Sequence, residues 1–88
     1  MTPGLMEREV LVPVFLPSLL SLFRNAQHLH GAPLKYEQAR KIRDSAVVIM
    51  VSQKLALKID QRRGFHDLDP AAYWEEWQAH QSRLNQWP

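Results

Sequence analysis

The chain has 88 residues, no cysteine, a formal net charge of +2 and a pI near 9.3, which is room for one domain with a small core. Hydrophobic residues make up 45% and charged residues 23%, too apolar a balance for a disordered chain. Without cysteine there is no disulfide, no thiolate nucleophile and no sulfur-based zinc finger; this fits a reducing compartment, and a cytoplasmic location is expected.

Residues 1–16 read as an N-terminal apolar arm. The most apolar stretch, Val10 to Phe23, is shorter than the roughly 20 residues a spanning helix needs. Glu7, Arg8 and Glu9 before it do not make the positive start of a secretory signal. A core segment is therefore expected, with no membrane span.

Residues 17–84 read as a single helical domain. Its first helix runs from about Pro17 to His30, with Leu19, Leu22, Phe23, Ala26 and His30 on one face. Pro13 and Pro17 lie one turn apart, and either can open it. Gly31 and Pro33 end it. The second helix is expected from Lys35 to Met50, with Ala39, Ile42, Ala46, Ile49 and Met50 at spacings of three and four. Its last six residues, AVVIMV, are apolar on every face. Four of them are β-branched, so a short strand is the rival reading. Helix is preferred because a strand needs a partner and the chain offers no second one.

Ser52 is placed to cap a third helix, Gln53 to Arg63, with Leu55, Ala56 and Ile59 inside and Gly64 as its stop. Asp69 and Pro70 then stand as N-cap and first residue of a fourth, lined by Tyr73, Trp74, Trp77, Gln81 and Leu84. Phe65 is expected to dock on that aromatic stripe. Residues 85–88 are expected to fray. The fold class expected is all-α, a small bundle of about four short helices.

Charge is segregated. Residues 35–63 carry eight basic and three acidic side chains, whereas residues 64–88 carry Arg83 against Asp67, Asp69, Glu75 and Glu76. Lys54, Lys58 and Arg62 recur at i, i+4 and i+8 and form one basic stripe, bordered by Arg63. With the tight join near Ser52, this has the bare outline of a helix-turn-helix that could meet phosphates. The turn lacks the usual glycine, and few side chains on the stripe suit base reading.

No catalytic signature is visible. The serines lack a nucleophile-elbow context, and Gly4, Gly31 and Gly64 are too far apart for a phosphate loop. Glu75 and Glu76 are adjacent on a helix and diverge. His28 and His30 cannot chelate from one helical face; His66, Asp67 and Asp69 form a loop cluster, but Asp69 is better used as a cap. No enzyme activity, metal or cofactor is expected.

What remains is an apolar surplus. Leu20, Val48 and Leu57 fall off the inner faces, and a domain this small cannot easily hide them. The expected function is protein–protein interaction, with itself or another chain, as in self-association, an adaptor or an immunity-type inhibitor. Nucleic-acid binding through Lys54, Lys58, Arg62 and Arg63 is the alternative.

Overall fold

A computed structural model describes residues 10–85, and the two ends, residues 1–9 and 86–88, lie outside it. The first nine positions of the expected arm and most of the expected frayed tail therefore fall outside the described residues. The element order is β1 (Leu11–Phe15), α1 (Leu19–His30), α2 (Tyr36–Ser45), β2 (Val48–Ser52), α3 (Gln53–Arg63) and α4 (Tyr73–Asn85). Among the described residues no helix is long and apolar enough to cross a membrane.

The chain is not an all-α bundle. Four helices accompany a two-stranded antiparallel sheet, β1 against β2. The expected second helix stops at Ser45, and Val48–Ser52 is a strand. The partner judged missing is the end of the N-terminal arm, which pairs Leu11 with Ser52 and Phe15 with Val48.

Pro13 concealed that strand, because proline cannot donate to a ladder. The register explains how it is accommodated. Leu16 N–H donates to Val47 C=O at 3.0 Å, so the alternation of an antiparallel ladder makes Val14–Ile49 and Val12–Val51 the hydrogen-bonded pairs. Pro13 opposite Met50 is then a non-hydrogen-bonded position. Its missing N–H would have pointed away from β2, so no ladder bond is lost.

Helix limits follow the local signals more closely. Ser18, not a proline, caps α1, its Oγ accepting from Ser21 N–H at 3.1 Å, and Gly31 at φ 67° closes it. Ser52 Oγ accepts from Leu55 N–H and Gly64 at φ 79° closes α3, as expected from sequence. These glycines take the left-handed backbone that other residues adopt at a cost. Asp69 accepts from Ala71 N–H at 2.7 Å, but the turn it caps precedes the α-helix, which begins at Tyr73.

The main core joins β1, α1, α2 and α4. Phe15, Leu19, Phe23, Leu34, Ala39, Leu68, Tyr73 and Trp77 are its buried members. Phe23 sits edge-on to both Trp77 (centroids 5.4 Å apart) and Tyr73 (6.0 Å), the geometry that ring quadrupoles favour. Arg43 caps the Tyr73 face from 5.0 Å. Trp74 packs half-buried on the rim, edge-on to Tyr36. Phe65 is half-buried and is not a member of this cluster. Val14 and Val51 are buried separately, on the sheet face they share with Val12 and Ile49. The helix α3 packs against both strands yet buries none of its own residues fully.

Candidate functional site

The first half of the strand β2 is apolar and exposed. Met50 is 56% exposed, Val48 43% and Ile49 36%, and Val47, just before the strand, 62%. Leu11 on β1 and Val10 just before it are exposed as well, toward the other end of the ladder. The cause is topological. A two-stranded sheet has two open edges, and its burial is partial on both faces: Phe15 reaches the main core on one, and Val14 and Val51 are buried on the other.

The two edges differ. On β1, Pro13 offers no donor, and Phe15 C=O accepts from Arg63 Nη2 at 2.6 Å. That edge is blunted and partly occupied, as edge strands commonly are. On β2 the outward backbone groups belong to Val48, Met50 and Ser52, by the same alternation that points Pro13 outward; Ser52 is also the N-cap of α3, which leaves Val48 and Met50 as the edge proper. Among the described residues, no turn, loop or cap hydrogen bond reaches them. The side chains around this edge are Val47, Val48, Ile49 and Met50, with no charge among them.

Of the three apolar residues expected at a partner surface, Val48 lies on this edge strand rather than on a helix. Leu57 is 62% exposed on α3. Leu20 is half-buried and packs against the main core. They do not form one patch by sequence spacing, and Ile49 and Met50, expected on the inner face of a helix, are exposed instead. The signal was present in AVVIMV: four β-branched residues in six suit a strand, and a strand at a sheet edge exposes what a central helix would bury.

Of the basic residues, Lys54, Lys58 and Arg62 are exposed on α3. Arg63 is set apart from them. Its guanidinium binds Phe15 C=O and lies 3.9 Å from the Asp67 carboxylate, with only 16% of the side chain exposed. It holds β1 to the end of α3.

The loop acids are also occupied by structure. Asp67 accepts from Leu19 N–H at 2.7 Å and Leu20 N–H at 2.9 Å, capping α1 from 47 and 48 residues away, and from Leu68 N–H at 2.8 Å. Sequence spacing gives no hint of such a distant cap. His66 turns away from Asp67 and Asp69 and contacts Asp60, Nδ1 to Oδ2, at 2.7 Å. Among the described residues no three His, Asp or Glu side chains converge as metal ligands do. An open groove of about 830 Å³ runs between α1 and α4 past Arg24, His28, Trp74 and Gln78.

Two histidines should titrate in opposite directions. The hydrogen bond to Asp60 raises the pKa of His66 above 6.5, whereas desolvation, followed by the charges of Arg24 and Arg83, lowers that of His80. Because the folded chain holds the His66 proton more tightly, the stabilisation from that pair is complete below pH 6.5 and disappears as pH rises through the folded midpoint. His80 has the opposite linkage, opposing the fold as pH falls below 6.5 toward its lower midpoint. A proton-NMR titration should find His66 above and His80 below the ordinary value, and Asp60→Asn should return His66 toward 6.5. A His66 midpoint indifferent to Asp60→Asn would show that the contact does not persist in solution.

Comparison with protein-family models, with curated proteins and with solved structures returns no match to this chain.

Proposed function

We propose that this domain is a non-enzymatic protein-interaction module that works through the apolar surface around β2. The observation that supports it is the exposure of Val47, Val48, Ile49 and Met50 in one run beside an open strand edge. Contiguous apolar surface of this kind marks association sites on small proteins, and strand edges are a recurrent docking mode. Leu57 on α3 is a second exposed apolar position, whereas Leu20 packs against the main core. The cysteine-free composition suits a cytoplasmic setting.

A second reading, nucleic-acid binding, is supported by the exposed stripe Lys54, Lys58 and Arg62. Arg63 adds little to it, because its guanidinium is engaged with Phe15 and Asp67.

Photo-crosslinking from single positions in living cells tests the first reading. A crosslinking residue at Val48 or Leu57 should give protein adducts, and one at His30, on the opposite end of α1, should not. Absence of adducts at Val48 and Leu57 would overturn it. Salt-sensitive retention on duplex DNA, lost in a Lys54→Glu/Lys58→Glu/Arg62→Glu variant, would put the second reading in its place.

A further inference from the structure

We infer that the partner of β2 is a second copy of this chain, joined edge to edge about a two-fold axis that passes between the two Ile49 residues, to give a four-stranded antiparallel sheet in the order β1–β2–β2–β1. This rests on the interaction reading above and names its partner.

Pro13 and the Arg63 bond to Phe15 C=O blunt the β1 edge, so the sheet can grow only on the β2 side. There the outward N–H and C=O groups are those of Val48 and Met50, followed by Ser52 where the strand enters α3. Two copies of β2 approaching antiparallel with Ile49 opposite Ile49 place Val48 opposite Met50 in both directions. Both are outward-pointing residues, so each pair exchanges two hydrogen bonds and the two pairs make four. The next symmetric register, centred on Met50, would require Ser52 as well. Ser52 is the N-cap of α3, and an N-cap carbonyl accepts the first bond of its own helix. The Ile49-centred register uses the outward groups of both Val48 and Met50 and none that is committed.

The side chains agree with this pairing. Val48 and Met50 from opposite copies become cross-strand neighbours on one face, and the two Ile49 side chains meet on the other. Cross-strand apolar pairs are what stabilise a sheet. No like charges meet along the edge. The antiparallel approach also sets the end of one strand that follows Asp44 beside the end of the other that precedes Lys54, opposite charges that are both exposed, Asp44 pairing within its own chain with Arg43 at 3.3 Å. A foreign strand could use the same groups, but it would have to match an edge that already matches itself.

The contact is small, so association should be read at micromolar rather than nanomolar concentration. Sedimentation of the purified chain should show a concentration-dependent monomer–dimer equilibrium. Met50→Pro removes one outward donor and, like Pro13 across the ladder, loses no bond to β1; it should be folded by circular dichroism and monomeric. Val48→Lys places a charge on the edge and should also be monomeric, and it decides the matter if Met50→Pro fails to fold. Because the chain has no cysteine, Ile49→Cys should form an intermolecular disulfide under mild oxidation, whereas Leu57→Cys should not. A chain that stays monomeric up to about 1 mM, or a dimer that survives both edge variants, would overturn the inference. A monomer whose Val48 position crosslinks only foreign proteins in cells would overturn it too, while leaving the interaction reading standing.

Discussion

Trp77→Ala is expected to lower stability by about 4 kcal/mol, the range for removing a fully buried large aromatic and leaving a cavity. Trp77 is 1% exposed and takes the edge of Phe23, the other ring at the centre of the core. Domains of this size are stable by roughly 5–15 kcal/mol, so most of the margin could go with one side chain. Thermal unfolding followed by far-UV circular dichroism should show a fall of about 15–30 °C, at roughly 4–8 °C per kcal/mol. Trp74→Ala is the comparison. That ring sits on the rim against Tyr36, and the loss should be about half as large. Equal losses would mean that ring size, not position in the core, sets the cost.

Asp67→Ala is expected to cost about 3 kcal/mol. The carboxylate accepts from three backbone N–H groups, two of them at the start of α1. Its side chain is 12% exposed, so water can replace it only in part. A lost cap costs about 0.5–2 kcal/mol, and each donor left unsatisfied in a part-buried setting adds to that. Arg63 would also lose its nearby anion while still bound to Phe15 C=O. Asp69→Ala provides the contrast: its bond to Ala71 N–H is exposed, and the expected loss is about 0.5–1 kcal/mol. Urea titration of both variants checks the order. If Asp69→Ala proved the more damaging, the distant cap on α1 would not be what holds the first helix in place.

The same pair of aspartates shows where sequence reading reached and where it stopped. Asp69 was legible as a cap because Asp-Pro before an aromatic helix is a local pattern, and the structure moved only the point at which the α-helix begins. Asp67 was legible only as a loop acid beside His66. Its role depends on Leu19 and Leu20, nearly fifty residues earlier, and no spacing rule reaches that far. Arg63 is a similar case. It continues the stripe of Lys54, Lys58 and Arg62 in sequence, but on the fold it turns inward to a carbonyl of β1.

Local chemistry by itself determined both ends of α3, through Ser52 and Gly64, and the end of α1 at Gly31, and it determined that Tyr73 and Trp77 pack inward. These features act over one or two turns, a range that side-chain hydrogen bonds and helical periodicity cover. The start of α1, expected at a proline, falls to Ser18 with the distant Asp67 beside it. The state of Ala46–Val51 was decided only by tertiary structure. Six apolar residues satisfy a buried helix or a strand equally well, and the choice falls to whichever partner can complete the backbone hydrogen bonds. That partner is Leu11–Phe15, more than thirty residues away, and Pro13 in its middle argues against a strand until the register turns its missing N–H outward. The exposed edge of β2 follows from the same pairing: with one neighbour on one side, Val48 and Met50 keep their backbone groups free on the other.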